Sequence, residues 1–350
     1  MSEGRKTRAG VVGLGRHGQR HLKAYENLAS AKGAEGAEVV AVCDVRLDYV
    51  RTALDQYSGA RGYTDWREML AKEKLDILSV VTNGPTHAPI TIAAAQAGVG
   101  RILCEKPMAT SVGDAREMVR VCEEQGTRLS VAHARRWVLG YQQLREVLAQ
   151  GVIGKLCHFS FILGGGLFAG NGTHTMDLAR MLSGSEPVSV TAYVDRTGTP
   201  NPRGLQFQDP GAFAVYWFGN GMRLVIDMYE DLGVTAPMEI IGSIGRVTID
   251  EPVARWEILA REGEDREQPV GQYWLPLAPV PFEPVTLDMI EMLTDGLREL
   301  LGTGPISCTG EDGLASLEMV IGAHVSSRNG NVPVTLPLSQ AQQQIDIPLT

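Results

Sequence analysis

Gly13-Leu14-Gly15-Arg16-His17-Gly18 is the segment of this chain best suited to hold a reactive group. A strand-like run ends at Val12 and a helical stretch begins at Gly18, the context a phosphate-cradling G-x-G-x-x-G loop requires. In that reading Gly13 permits the tight turn and Gly15 lets the backbone approach a pyrophosphate. Gly18 lets helix and strand pack closely, and the helix N-terminus favours the phosphate charge. A glycine-rich turn without a ligand fits the same pattern. The flanking strand and helix favour a dinucleotide, with Leu14, Arg16 and His17 as neighbours of the phosphates. An acid at the end of the second strand should then meet the ribose hydroxyls, and Asp44, closing the run Val39–Cys43, takes that place. It lies farther from the glycines than the usual spacing of roughly 20 residues. The segment 29–38 reads as a small insertion that accounts for the gap. Arg46, two residues on, suits a 2′-phosphate instead. The pair favours NAD, with NADP as the alternative.

The second candidate is Lys106 in Leu103-Cys104-Glu105-Lys106-Pro107, directly after the apolar run 101–104. In an open parallel sheet the ligand crevice lies beyond the carboxyl ends of the strands, so Lys106 falls where a nicotinamide would sit. Pro107 restricts it to extended geometry, which aims the ammonium steadily. A lysine desolvated beside a cofactor holds or accepts an alcohol proton while hydride leaves carbon; a lysine that is merely solvated at a strand end is the plainer alternative. Thr82 and Asn83 end another strand facing the same crevice and are expected to touch ribose or nicotinamide. The five cysteines at 43, 104, 122, 157 and 308 are scattered, with no C-x-x-C pair. Neither a disulfide framework nor a metal site is expected.

These residues need a scaffold, and the first part of the chain supplies one. Apolar runs at 9–12, 39–43, 77–81, 101–104 and 128–131 alternate with helical stretches at 18–28, 47–57, 65–71, 89–97 and 111–125. Strands buried on both faces read as continuous apolar runs, and repeated βα units demand a parallel sheet. After about residue 150 the grammar changes. Strand-like runs at 155–163, 188–194, 212–218, 222–229, 238–241, 246–249 and 256–260 are joined in part by turns at 218–221 and 242–245. That pattern predicts an antiparallel sheet, with helices over 175–182, 287–301 and 312–326.

Apolar residues at 44% and charged residues at 21% match an ordinary globular mixture, and 350 residues suit two domains. A net charge of −9 with no basic stripe beyond Arg5-Lys6-Arg8 argues against nucleic acid. No apolar run approaches the roughly 20 residues needed to span a bilayer, and the start lacks the apolar stretch of a secretory signal. A cytoplasmic location is expected.

Three elements, Gly13–Gly18, Thr82-Asn83-Gly84-Pro85-Thr86-His87 and Cys104-Glu105-Lys106-Pro107, occur in an order and spacing that resemble the Gfo/Idh/MocA oxidoreductases. Ala134-Arg135-Arg136-Trp137, Gly151-Val152-Ile153-Gly154-Lys155 and His324–Gly330 with Val332-Pro333-Val334 extend the resemblance over nearly the whole chain. It implies an α/β chain with a doubly wound Rossmann domain over 1–133 and a substrate-binding, oligomerising α+β domain over 134–350, built on an open-faced, mainly antiparallel sheet. It implies NAD(P)-linked hydride exchange with a carbohydrate or polyol, and a homodimer or homotetramer. His87, Glu105 and Arg136 are then expected near the cofactor. His174 matches a second-domain histidine that shares proton transfer with Lys106, while Asn171 and Asp177 fall among the substrate contacts. On periodicity alone His174 reads equally as a core residue, since Leu178, Met181 and Leu182 share its stripe. The glycines at 164–166, 170 and 172 favour a site, because loops on rigid scaffolds carry function.

One departure stands out. Where the family has an aspartate four residues before this histidine, the chain has Gly170. Either Asn171 or another group orients His174, or the relay uses Lys106 and His174 alone, or the reaction differs. Redox-neutral glycoside cleavage by transient oxidation and a non-catalytic dinucleotide sensor are therefore the alternatives to a dehydrogenase.

Overall fold

A computed structural model describes residues 6–29, 36–195, 201 and 203–349. Arg5, most of the insertion expected over 29–38, and part of the loop expected over 198–211 lie outside the described residues. The chain forms two compact units. The first gathers the chain up to Trp137, Asp288–Leu317 and the tail from Gln344, and the second gathers Val138–Leu287 and Glu318–Gln343. The division thus differs from a single cut after residue 133, because two later segments return to the first unit.

The first unit alternates β1 (Thr7–Val12), α1 (Arg16–Ala29), β2 (Ala37–Cys43), α2 (Leu47–Gln56), β3 (Arg61–Tyr63), α3 (Trp66–Lys72), β4 (Ile77–Val80), α4 (His87–Gln96), β5 (Arg101–Cys104), α5 (Val112–Glu124) and β6 (Arg128–Val131). All neighbours are parallel, in the order β3-β2-β1-β4-β5-β6. That order is the dinucleotide-binding one, and its switch point lies between β1 and β4. The central strands are mainly apolar because helices cover both faces; every residue of β4 is buried, and its one polar member, Ser79, shares a 3.0 Å hydroxyl bond with Tyr25. Local caps fix the helix starts: Ser111 Oγ accepts from Asp114 N at 3.0 Å at the start of α5, and Asp65 accepts from Arg67 N at the start of α3.

The second unit contains α6 (Leu139–Ala149), β7 (Leu156–Ile162), α7 (Phe168–Ser183), β8 (Pro187–Val194), β9 (Ala212–Phe218), β10 (Arg223–Asp227), β11 (Met238–Gly242), β12 (Gly245–Asp250), β13 (Arg255–Ala260) and β14 (Ala278–Val280). The chain then gives α8 (Met289–Leu301) to the first unit, runs through α9 (Gly310–Arg328), and adds β15 (Val334–Thr335) and α10 (Gln340–Gln343). The second sheet has the order β14-β13-β12-β11-β7-β10-β9-β8-β15. Its pairs are antiparallel except β7 with β10. Both expected hairpins are present; the parallel pair is not visible from turn signals, because its strands are distant in sequence.

One face of this sheet packs the core: Phe159, Phe161, Ala214, Tyr216, Leu224, Ile226, Ile240 and Val247 are all buried. Tyr216 Oη donates to Met319 O at 3.1 Å, which ties the sheet to α9. On the opposite face Ile162, Tyr193, Trp217 and Ile241 are exposed. Trp217, Arg223, His158 and Ile241 form one continuous rung across β9, β10, β7 and β11.

In the first unit α8 lays Met292, Leu293, Leu297 and Leu300 into the core, and Asn27 Nδ2 of α1 donates to Thr294 Oγ1 at 3.2 Å. The tail is held there too: Ile347 N donates to Thr110 O at 3.0 Å, and Ile347 and Leu349 are fully buried. No helix among the described residues is long and apolar enough to cross a membrane.

Candidate functional site

In the first unit the candidate residues collect at the carboxyl ends of adjacent strands: Gly13–Gly18 after β1, Asp44 after β2, Thr82 and Asn83 after β4, and Glu105 and Lys106 after β5. The three loop glycines have different surroundings. Gly13 has φ +96°, and a Cβ there would lie 2.3 Å from Val81 O. A Cβ on Gly18 would lie 2.0 Å from Gly13 O, so helix and strand pack too closely for any side chain. A Cβ on Gly15 would meet nothing within 4 Å. Tight turn, open approach and close packing are the three properties a pyrophosphate cradle needs, so the residues present fit a dinucleotide.

Asp44 is fixed by the loop it serves. Its carboxylate accepts from Leu14 N at 2.7 Å and from Arg46 N at 2.9 Å. Leu14 has a buried side chain, and its amide donates to Asp44. Arg46 turns away from the role of phosphate ligand: its guanidinium donates to Asp48 at 2.5 and 3.2 Å and lies 3.9 Å over the Tyr49 ring. Arg16 is exposed and His17 half-buried. Burial pushes the His17 imidazole down, and the charges of Lys106 and Arg20 add to this against the pull of Glu105.

Glu105 is the electrostatic anchor of the site. It is 7% exposed, and His21 Nε2 of α1 donates to its Oε1 at 3.0 Å. Burial alone would raise this carboxyl, but the His21 hydrogen bond and the charges of His21 and Lys106 outweigh it and hold it at about 2. Lys106 N donates to the other oxygen, Oε2, at 3.3 Å. The result is a half-buried lysine next to a carboxylate that stays ionised. His21 was not anticipated as a site residue; its only signal was the i, i+4 spacing from His17 along α1.

Two further residues expected at the cofactor have protein partners. His87, expected beside the cofactor, is 1% exposed, and its ring nitrogens lie 2.9 Å from Pro107 O and 2.9 Å from Thr82 O. It joins the end of β4 to the end of β5 and presents no ring nitrogen to a ligand. Arg136, also expected at the cofactor, is 8% exposed and donates to Ser307 O at 2.9 Å and to Asp312 Oδ1 at 2.9 Å. These bonds hold the segment before α9 against the end of the parallel sheet's unit. Thr82 is half-buried and shares a 2.7 Å hydroxyl bond with Thr86, while Asn83 is exposed at the loop tip.

In the second unit His174 lies on α7, which starts at Phe168, seven residues or about two turns earlier than the glycine-rich sequence predicts. The early start has a cause. The first turn carries no acid of its own, and Asp209, from the loop before β9, accepts from Ala169 N at 2.6 Å and Gly170 N at 2.8 Å. Asn171 is half-buried in the same turn, with its amide on Leu167 O at 2.8 Å. Asp177, expected to contact substrate, is 1% exposed and pairs with Arg180 at 3.6 Å. Arg180 in turn holds Glu186 through two bonds of 2.6 and 2.8 Å.

Comparison with known proteins adds independent information. Residues 7–133 match an oxidoreductase family described as having an NAD-binding Rossmann fold, and residues 163–336 match the C-terminal alpha/beta domain of that family. The chain is 28% identical over 348 residues to D-apiose dehydrogenase of Paraburkholderia graminis, covering 93% of this chain and 89% of that protein. It is 30% identical over 258 residues to inositol 2-dehydrogenase 2 of Saccharopolyspora erythraea, covering 69% of this chain and 73% of that protein. Among solved structures, an oxidoreductase from Agrobacterium radiobacter in complex with NAD+, L-tartaric acid and magnesium superposes with a TM-score of 0.76 at 23% identity, covering 95% of this chain and 98% of that one.

Proposed function

This chain belongs to the Gfo/Idh/MocA oxidoreductase family, and from that premise we propose that Lys106 and His174 serve NAD-linked hydride transfer at a hydroxyl-bearing or keto carbon of a sugar or polyol. The observation that carries the reading is Lys106 itself, half-buried at the carboxyl end of β5 beside the ionised Glu105, on the strand next but one to the glycine loop. NAD, when bound, supplies the hydride acceptor. The chain's own residues do the rest. Gly13, Gly15 and Gly18 make room for the pyrophosphate, Asp44 meets the ribose, and Glu105 fixes Lys106 in place. Lys106 takes the hydroxyl proton on oxidation and returns it on reduction, with His174 as its partner in that exchange. A polyhydroxylated substrate is supported by the names of the relatives, apiose and inositol dehydrogenases. The test is a panel of sugars, polyols and their keto forms with NAD(P)+ or NAD(P)H, followed by reduced-nicotinamide absorbance. Turnover on at least one such pair supports the reading; cofactor binding with no turnover across the panel contradicts it.

Cofactor choice follows from Asp44 and Arg46. A 2′-phosphate would face the Asp44 carboxylate, while the Arg46 charge is already engaged by Asp48. NAD is expected to bind at least about tenfold more tightly than NADP, a difference of ~1.4 kcal/mol. Asp44→Asn should narrow that ratio, as read by titrating both cofactors. Equal affinity of the unmodified chain for the two would contradict the assignment.

The exposed rung on the second sheet supports association of two or more copies through that face. Sedimentation should show a dimer or tetramer, and Trp217→Glu with Ile241→Glu should shift it to the monomer. A monomer before substitution would overturn this.

A further inference from the structure

We infer that His21 is a positioning residue for Lys106: its imidazole grips the Glu105 carboxylate, and that carboxylate in turn holds the backbone of the lysine. The inference rests on Lys106 having the role proposed above. His21 is fully buried on α1, and its Nε2 lies 3.0 Å from Glu105 Oε1. The other carboxylate oxygen, Oε2, accepts from Lys106 N at 3.3 Å. One oxygen is thus held by a ring on a neighbouring helix and the other by the residue it serves. Glu105 is itself pinned to the sheet, since its N donates to Val80 O at 2.9 Å. On the far side of the lysine, Nδ1 of the buried His87 lies 2.9 Å from Pro107 O. The lysine backbone therefore runs between two fixed points, one of which depends on α1.

The chemistry of the pair fixes which ring atom carries the proton. Glu105 is held ionised, and an ionised carboxylate only accepts hydrogen bonds, so the His21 nitrogen facing it must be protonated. The other ring nitrogen, Nδ1, is buried and has no hydrogen-bond partner among the described residues. Leucine would fill this position without burying an unsatisfied nitrogen. The one hydrogen bond the ring makes is therefore the property that distinguishes histidine here. Its place on α1 also matters. That helix begins at Arg16, inside the glycine loop, and His21 follows five residues later, about one and a half turns along. The helix whose N-terminus faces the pyrophosphate cradle thus also fixes the neighbour of the lysine.

The test uses the full chain and the most active substrate of the panel above. His21→Leu fills the site but removes the donor. It should lower kcat on the order of tenfold to a hundredfold, the loss expected of a slightly displaced reacting group, with KM and the Kd for NAD within about threefold. His21→Gln can still donate an amide N–H to Glu105 and should recover most of that loss. In a Lys106→Ala background His21→Leu should cause no further loss, because an effect that acts through the lysine disappears with it. A readout independent of turnover is nitrogen NMR of isotope-labelled histidine rings in the cofactor-free chain, with the His21 signals assigned by their loss in His21→Gln. Nε2 of His21 should carry the proton, and Glu105→Gln should shift its resonance. Thermal melting is recorded for each variant. If leucine prevents folding, His21→Asn, an amide too short to reach Glu105, takes its place with the same expected loss. Equal fold-loss with and without Lys106, equal impairment by leucine and glutamine, or an unprotonated Nε2 would overturn the assignment. Impaired Lys106→Ala with unimpaired His21→Leu would overturn it while leaving the functional reading intact. Full activity of Lys106→Ala would overturn both.

Discussion

Lys106→Ala is expected to lower kcat by about a thousandfold while the Kd for NAD stays within a few-fold of its original value. The magnitude follows from the role. A positioned general acid–base group contributes typically ~10²–10⁴ in rate, and Lys106 is the group at the carboxyl end of β5 whose neighbours are arranged to hold a cation. Glu105 stays ionised beside it, and the hydrogen bonds from His21 and from the backbone of Lys106 keep that carboxylate in place. The substitution keeps both hydrogen bonds and removes only the Lys106 charge from those that hold Glu105 ionised. It leaves the Asp44–Leu14 bond and the glycine loop as they are, so cofactor affinity should persist. Lys106→Arg should fail nearly as badly, because a guanidinium remains protonated and cannot take up the hydroxyl proton. Stopped-flow turnover with parallel fluorescence titration of the cofactor reads both quantities. Undiminished turnover in the alanine variant would remove Lys106 from the chemistry.

The second large effect separates two glycines that look alike in the sequence. Gly18→Ala places a methyl group 2.0 Å from a backbone oxygen, so α1 must move off β1. Overpacking of that kind costs about 1–3 kcal/mol, and the melting temperature should fall by several degrees. A Cβ on Gly15 would meet no atom within 4 Å, so Gly15→Val should change melting far less than Gly18→Ala does. The valine would instead occupy the space through which the pyrophosphate approaches, and NAD affinity should drop about a hundredfold or more, ~2.7 kcal/mol. Differential scanning calorimetry with and without NAD distinguishes the two variants directly. A Gly15→Val protein that binds NAD normally would reduce the loop to a structural turn.

These contrasts show what was legible in the sequence. The parallel sheet could be read because strands covered on both faces are continuous apolar runs, as in Ile77–Val80 and Ile102–Cys104. Strand β3 could not, because Arg61 and Gly62 are exposed at an edge and read as loop. The return of α8 to the first unit was also hidden: its stripe shows that it buries one face, but not against what. At the candidate site, Gly13, Gly15, Gly18, Asp44 and Lys106 were read from motif and strand-end position, and Glu105 from the resemblance. His87 and Arg136 were placed by resemblance at the cofactor, but their hydrogen bonds hold neighbouring segments together. Asp209 and His21 act on partners distant in sequence, Asp209 from 39 positions away from Gly170 and His21 from 84 positions away from Glu105. No local spacing encodes such pairs. The glycines around 170 read as loop for the same reason, since the cap that lets them form a helix comes from elsewhere.

In the proposed reaction hydride passes between a substrate carbon and NAD. The most direct measurement uses the most active alcohol from the panel, deuterated at the carbinol carbon, with unlabelled NAD+. Mass and magnetic-resonance analysis of the recovered cofactor would then locate the label. Deuterium is expected at the nicotinamide C4 position, with a primary isotope effect on the transfer step, and its appearance should be about a thousandfold slower in Lys106→Ala. Recovery of unlabelled reduced cofactor, or labelled cofactor formed equally well without Lys106, would contradict it.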